Sequence, residues 1–232
     1  EPVLEEISFI AKPGETTAFI GSTGSGKSTL INLIPRFYDV TEGEILLDGI
    51  NIKDIRLQEL RDRIGYVPQK SILFTGTIES NLKYGKNIDA NDEDILKAIE
   101  IAQAKELIEE NTEGILYEIA QGGTNVSGGQ RQRLSIARAL AKKPEVFIFD
   151  DSFSALDFKT DAALRKAIHE NMRDRTILIV AQRINTIINA ENIIVLDQGK
   201  VVGMGTHKEL LKKCNVYRQI ALSQLSEEEL AI

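Results

Sequence analysis

Cysteine and histidine are scarce in this sequence. Among its 232 residues there are one cysteine and two histidines. Because the lone Cys214 cannot form an internal disulfide bond, the chain fits a reducing cytosol, and we interpret Cys214 as a packing residue of the last predicted helix. His169 and His207 fall on predicted helices, and we interpret both as ordinary surface residues.

Long apolar runs and an excess of positive charge are also absent. No stretch approaches the roughly 20 apolar residues of a membrane-spanning helix. The longest, residues 146–149 and 176–181, have the length of strands. The formal net charge of −7 offers no electrostatic attraction for nucleic acid, so we expect no nucleic-acid partner. With 42% hydrophobic and 27% charged residues, the composition suits one large globular domain or two small ones.

A glycine-rich loop lies between a predicted strand, residues 16–20, and a predicted helix, residues 28–38. Its pattern is G-x-x-x-x-G-K-[ST], formed by Gly21, Ser22, Thr23, Gly24, Ser25, Gly26, Lys27, Ser28 and Thr29. Glycines let backbone N–H groups turn toward a phosphate chain, and a helix N-terminus favours an anion. With Lys27 reaching the β- and γ-phosphates and Ser28 binding Mg²⁺, the loop predicts a site for MgATP.

Polar side chains follow other predicted strands. Residues 145–150 form a nearly continuous apolar run that predicts a central parallel strand, and it ends in two carboxylates, Asp150 and Asp151. With the glycine-rich loop present, Asp150 is predicted to hold Mg²⁺ opposite Ser28. Gln69 follows the predicted strand that stops at a proline, and the end of a strand is the usual place for ligands in α/β sheets.

Turn and capping signals divide the rest of the chain. Residues 3–9 alternate like a strand, and residues 48–49 and 198–199 predict the turns of two hairpins. Residues 206–209 have the capping-box pattern that begins a helix. The middle of the chain, about residues 77–141, is predicted to be mainly helical.

Within this middle stretch, residues 126–133 closely resemble the LSGGQ signature of ATP-binding cassette (ABC) proteins, with a valine in the leading apolar position. The four residues after it are Ser127, Gly128, Gly129 and Gln130. Gln69 matches the Q-loop of that family, which implies a part in catalysis and in binding Mg²⁺. Residues 154–157, which end at Asp157, match the D-loop. Essentially the whole chain is therefore similar to an ABC nucleotide-binding domain.

The resemblance implies an α/β fold of the P-loop NTPase type. Residues of about 1–76 and 141–232 would form a RecA-like core with a mixed sheet, and a helical subdomain of about 77–140 would carry the signature. It also implies that ATP and Mg²⁺ are bound between two such domains. The glycine-rich loop and Asp150 of one domain, which are the Walker A and Walker B motifs of the family, would then face the signature and Asp157 of the other domain.

Residues 71–82 resemble the exporter branch of the family, in which Phe74–Leu82 would meet the transmembrane domains. This implies a transmembrane domain upstream of these residues on the same polypeptide. It also places the chain at the cytoplasmic face of the cell membrane. The aromatic residue that stacks on adenine in the family would likewise lie upstream.

Two departures from the family pattern concern catalysis. The family's general base is a glutamate, but Asp151 stands there and is one methylene shorter. The family's switch histidine is replaced by Gln182, which can donate to a phosphate but cannot carry a proton. Both changes are typical of the degenerate half of a heterodimeric exporter. They imply slow or absent hydrolysis at this chain's own site and a non-identical partner with the glutamate and the histidine. A third departure, residues 121–123, concerns the segment that senses the transmembrane domains.

Two other functions stay open. The first is a homodimeric exporter with slow turnover, in which Asp151 still works as the base. A soluble ABC protein of the DNA-repair or translation type is the other alternative. Residues 74–82 argue against it, and the chain has neither a second cassette nor a long coiled-coil insertion. The transported substrate leaves no signal in this sequence.

Overall fold

The computed structural model describes residues 3–85 and 90–226. Its strands are β1 Thr16–Ile20, β2 Leu46–Leu47, β3 Ile50–Asn51, β4 Ile64–Val67, β5 Gly76–Thr77, β6 Glu118–Ile119, β7 Val146–Asp150, β8 Thr176–Val180, β9 Asn192–Asp197 and β10 Lys200–Gly205. Its α-helices are α1 Lys27–Leu33, α2 Leu57–Asp62, α3 Ile78–Leu82, α4 Asp92–Ile101, α5 Lys105–Glu109, α6 Gly128–Ala141, α7 Phe158–Asn171, α8 Ile184–Ile187, α9 His207–Lys213 and α10 Asn215–Leu222.

The main sheet has the strand order β10-β9-β1-β8-β7-β4. All neighbours pair in parallel except β10, which forms an antiparallel hairpin with β9. β7 is buried along its whole length because it lies between two other strands and has helices on both faces. The predicted mixed sheet is confirmed, and the parallel strands bring the loops after β1, β4, β7 and β8 to one edge.

A second group of elements precedes β7 in the chain. The short strands β5 and β6 pair with each other, and α6 packs against α3 and α4. The buried face of α4 consists of Ile95, Ala98, Ile99 and Ile101, as in an amphipathic helix, whereas the apolar Leu96 is exposed. The subdomain boundaries near 76 and 141 stay a prediction, and the ends of the predicted domain, 1–2 and 227–232, lie outside the described residues. In the part of the chain that the structure describes, no helix is both long and apolar enough to cross a membrane.

Two predicted elements are wrong in extent. The first helix ends at Leu33 and does not reach Tyr38, because Pro35 has no N–H to continue it and Arg36 takes a φ of 52°. Residues 3–9 are not a strand, since Glu6 has a φ of 51° and interrupts the extended backbone. The apolar residues of this segment still pack on the core.

The surface position predicted for His207 is also wrong. Its side chain begins α9 and is 6% exposed, and its Nδ1 lies 2.7 Å from the hydroxyl of the buried Tyr217. Burial lowers the pKa of His207, so the neutral imidazole is favoured. His169 is exposed on α7, as predicted, and Cys214 is buried beside Gly203 at the junction of α9 and α10.

Candidate functional site

The glycine-rich loop after β1 is closed by its own lysine. Lys27 Nζ donates to the carbonyl oxygens of Gly21 and Ser22 at 2.9 and 2.8 Å and lies 3.3 Å from Ser25 Oγ. Ser25 and Lys27 are buried, Ser22, Thr23, Gly24 and Ser28 are exposed, and Gly21, Gly26 and Thr29 are half-buried. Burial lowers the pKa of Lys27, while Asp151 and Asp150 act in the opposite direction.

Two of the glycines are required by the surrounding structure. A Cβ at Gly21 would lie 2.1 Å from the carbonyl oxygen of Leu196, so no side chain fits there. Gly26 is the N-cap of α1 with a φ of 100°, a conformation that L side chains rarely adopt. No side chain caps α1, and its first turn has no acidic residue. The helix N-terminus is therefore open to an anion supplied from outside the chain.

The two carboxylates that follow β7 have different partners. Asp150 Oδ1 accepts a hydrogen bond from Ser28 Oγ at 3.0 Å, which joins the end of β7 to the first turn of α1. Asp150 Oδ2 lies 3.3 Å from the Tyr66 hydroxyl, which is also 3.0 Å from Asn32 Oδ1. Sequence reasoning missed Tyr66 and Asn32, because only the pairing of β4 with β7 and the fold of α1 bring them to Asp150.

Asp151 accepts from two amides at a single oxygen. Gln69 Nε2 and Gln182 Nε2 donate to its Oδ2 at 3.0 and 2.8 Å. Its backbone N–H donates to the carbonyl of Val180 at 3.0 Å, and its φ is 48°, a left-handed conformation that aspartate tolerates better than most residues. Gln69, Asp151 and Gln182, each of which follows a parallel strand, therefore meet, with Asp151 at their centre.

Burial raises the pKa of both carboxylates. For Asp150 this effect is opposed by hydrogen bonds from Ser28 and Tyr66 and by the charge of Lys27. For Asp151 it is opposed by the bond from Gln69 and reinforced by the neighbouring charge of Asp150. A cation between Ser28 and Asp150 would lower the pKa of both carboxyls again, since its positive charge favours their ionised forms.

The signature residues occupy the N-terminus of α6, a helix of 14 residues. Ser127 Oγ accepts from the Gln130 N–H at 3.2 Å, and Gln130 Oε1 accepts from the Ser127 N–H at 2.8 Å, which completes a capping box. A Cβ at Gly129 would lie 3.6 Å from the carbonyl oxygen of Ala155, so the signature borders residues 154–157. Gly128 is exposed beside it.

Asp157 is the N-cap of α7. Its carboxylate accepts from the N–H and the hydroxyl of Thr160 at 2.9 and 2.7 Å. Across residues 3–85 and 90–226, no hydrogen bond is recorded between the glycine-rich loop and either Asp157 or residues 127–130. Ser127, Gln130 and Asp157 thus make their side-chain hydrogen bonds at the N-termini of α6 and α7, whereas Lys27 and Ser28 make theirs at the end of the parallel strands.

Residues 4–154, about two-thirds of the chain, match the family described as ABC transporter. The chain belongs to the ABC transporter family.

Relatives in this family include several exporters. An uncharacterised ABC transporter ATP-binding protein of Mycobacterium bovis is 48% identical over 225 residues, which cover 96% of this chain and 38% of that protein. An ATP-dependent lipid A-core flippase of Hahella chejuensis is 44% identical over 229 residues, covering 99% and 39%. A putative multidrug export ATP-binding/permease protein of Staphylococcus aureus is 45% identical over 219 residues, covering 94% and 38%.

A solved structure gives the same family and fold. A bacterial Atm1-family ABC exporter with ATP bound matches with a TM-score of 0.92 and 36% identity, over 97% of this chain and 40% of that chain. The predicted ABC ATPase fold is thereby confirmed. The chain spans about two-fifths of the length of these relatives. It is homologous to the ATP-binding domains of ABC exporters.

The residues of this ABC domain fit a nucleotide phosphate chain and Mg²⁺. The uncapped N-terminus of α1 and the Lys27 ammonium would favour the negative phosphates. Ser28 Oγ and Asp150 Oδ1, which lie 3.0 Å apart, would be two oxygen ligands for Mg²⁺. Mg²⁺ usually takes one or two protein oxygens and completes its shell with phosphate and water. Gln69, also predicted as a metal ligand, instead bonds to Asp151 in this structure.

Asp151→Asn is expected to leave the thermal stability of the nucleotide-free domain unchanged or slightly raised at about pH 7.5. Because burial raises the folded pKa of Asp151, this carboxyl loses stabilising free energy as the pH rises through that pKa. Asparagine keeps an oxygen for both amides and carries no charge. Calorimetry from about pH 4 to about pH 7.5 should show that the melting temperature of the variant rises relative to that of the wild type as the pH increases.

A second buried aspartate provides the control. Asp161 is 2% exposed, and its Oδ1 accepts from Arg165 Nε at 2.9 Å. Asp161→Asn breaks a buried ion pair and should lower the melting temperature by several degrees. An equal loss for Asp151→Asn would contradict the view that burial disfavours the charged form of Asp151.

Proposed function

We propose that this chain is the ATP-binding domain of an ABC exporter and that it binds MgATP at a face shared with a second such domain. The observation that carries the proposal is the open N-terminus of α1, with Lys27 inside the loop and Ser28 bonded to Asp150. The similarity to exporters supports the proposal that ATP binding and hydrolysis by this domain drive transport. The chain would then lie at the cytoplasmic face of the cell membrane.

The roles of the residues follow from their contacts. The backbone N–H groups of residues 21–29 and the Lys27 ammonium would bind the phosphates, and Ser28 and Asp150 would hold Mg²⁺. Bound Mg²⁺ supplies charge neutralisation between the phosphates. Gln69 would leave Asp151 to face the metal or the attacking water, since its amide lies on the same edge of the sheet.

We further propose that hydrolysis at this site is slow. The Asp151 carboxylate is one methylene shorter than a glutamate, and two amides already donate to its Oδ2. A water molecule would have to replace one of these donors to be oriented by that oxygen. Gln182 can donate to a phosphate but cannot supply the positive charge of a histidine.

The partner in this proposal is a non-identical ABC domain with glutamate and histidine at the two positions. Ser127–Gln130 and Asp157 of this chain would complete the partner's site, because their side chains hydrogen-bond at the N-termini of α6 and α7 rather than to its own glycine-rich loop. The transmembrane domains would dock near Phe74–Leu82. There the half-exposed Phe74 stacks on the exposed Tyr84 at a centroid distance of 4.4 Å, beside the exposed Ile72.

A slow homodimeric exporter is the second candidate. It is favoured by the raised pKa of Asp151, since a carboxyl that holds a proton more tightly is a stronger base once ionised. In that case two identical sites would each turn over weakly.

The nucleotide site can be tested on the domain itself. Lys27→Ala should weaken binding of a fluorescent ATP analogue with Mg²⁺ by about 10- to 100-fold, because a charge-assisted contact to the phosphates is lost. Lys105→Ala removes an exposed lysine of α5 and should leave the affinity unchanged. Equal affinities for wild type and Lys27→Ala would overturn the proposed phosphate site.

A further inference from the structure

A buried glutamine on the signature helix has a hydrogen bond that neither the nucleotide site nor the signature uses. Gln132 is 2% exposed in the second turn of α6, and its Oε1 accepts a short hydrogen bond from Ser71 Oγ. Its Nε2 is one of two buried side-chain atoms without a hydrogen-bond partner among residues 3–85 and 90–226. Native proteins leave few such groups unpaired, because a buried unpaired donor costs free energy.

Ser71 lies in the same loop as Gln69, the loop that follows β4. Only Lys70 separates it from Gln69, whose Nε2 donates to Asp151 at 3.0 Å. Two side chains of one short loop therefore connect different parts of the domain. Gln69 holds the loop to the carboxylate after β7, and Ser71 holds it to α6. A shift of Gln69 toward a bound nucleotide must move Ser71 as well, because a single residue between them gives little slack.

Gln132 lies close to the signature on α6. Gln132 lies five residues after Ser127, a rise of about 7.5 Å along the helix. Leu73, in the same loop, is 1% exposed, and Arg138 of α6 donates to the carbonyl oxygen of Ile72. The loop is thus packed along α6, and Gln132 makes the side-chain hydrogen bond to it that lies nearest the signature.

We propose that Gln132 is a positioning residue that couples the loop of Gln69 to the signature at the start of α6. Resting on the function proposed above, this inference adds a route by which nucleotide at one site alters the site that the signature completes. The unpaired Nε2 can form one further hydrogen bond, and in the proposal a shift of the loop supplies its acceptor. The Ser71–Gln132 contact would then act as a two-state element.

The test uses the full-length transporter with its partner subunit and MgATP. Gln132→Met removes the acceptor for Ser71 and the unpaired N–H at similar volume, and Ser71→Ala removes the donor. Each should lower kcat for ATP hydrolysis about tenfold, with KM for ATP and the melting temperature close to wild type. The double variant should be no slower than either single variant, because both remove one contact. Ser71→Thr keeps the hydroxyl and should restore most of kcat.

The control is Ser135→Ala, which removes another buried polar side chain of α6. It should leave kcat near wild type. The proposal is overturned if Gln132→Met turns over like wild type, if its kcat falls in parallel with its melting temperature, or if the two single losses multiply in the double variant. A wild-type complex that does not hydrolyse MgATP would overturn the proposed function itself, so the two failures can be told apart.

Discussion

Changing Asp151 to glutamate and Gln182 to histidine together should raise ATP hydrolysis by the full-length chain, assayed without a partner, about 100-fold. A displacement of about 1 Å between a base and its water can cost this much, and one methylene corresponds to such a displacement. The histidine would add a group able to carry positive charge toward the phosphate. In the present structure Gln182 Nε2 donates to Asp151 Oδ2 at 2.8 Å, so the two positions are in direct contact.

Because of this contact, the single changes should be less effective than the pair. Asp151→Glu alone places a longer side chain against two amide donors, on a backbone with a φ of 48° that suits aspartate better. Gln182→His alone leaves the short carboxylate in place. The rates should therefore be non-additive, with the double variant above the product of the two single effects. Equal low rates for the wild type and all three variants would contradict the proposed cause of slow turnover.

In the complex with its partner, Gly129→Asp should lower ATP hydrolysis about 100-fold, whereas Lys27→Ala should leave most of it. The aspartate puts a negative charge at the signature, where the partner's nucleotide would bind, and one lost phosphate contact can cost this much. Gly129 has room for a side chain, and an acidic residue in the first helical turn stabilises the helix, so the fold should persist. Lys27→Ala weakens binding at the slow site, but saturating MgATP still fills that site, so the partner's site should keep most of its rate.

Another capping-box helix offers a matched control for this change. In α9, Thr206 and Glu209 cap each other, and Lys208 occupies the position that Gly129 has in α6. Lys208→Asp should leave hydrolysis near wild type. If Lys27→Ala and Gly129→Asp reduce the rate equally, the two sites are equivalent. That result would contradict the asymmetric arrangement and favour the homodimer.

Local patterns in the sequence predicted the strands of the main sheet and most of the residues at the candidate nucleotide site. The run before Asp150 is apolar because the strand is covered on both faces, and Ser28 follows a glycine pattern that fixes its distance from β1. Since parallel strands end at one edge, the meeting of Gln69, Asp151 and Gln182 follows from the topology. The capping box at Thr206 was predictable because it depends on residues three apart, whereas the capping box at Ser127 was found only in the structure.

Contacts between distant segments could not be predicted in this way. The bonds of Tyr66 and of Ser71 depend on how β4 and its following loop pack on β7 and α6. The burial of His207 depends on the packing of Tyr217 from the next helix. That both amides share one oxygen of Asp151 is a matter of side-chain geometry, which residue spacing does not determine.

In the proposed arrangement this chain's own site is the slow one of an asymmetric pair. Steady-state ATP hydrolysis by the full-length chain in lipid, alone and together with the product of its neighbouring gene, tests this arrangement. We expect turnover by the pair and little or none by the chain alone. Brisk turnover by the wild-type chain alone would contradict it, because Asp151 would then be a working base.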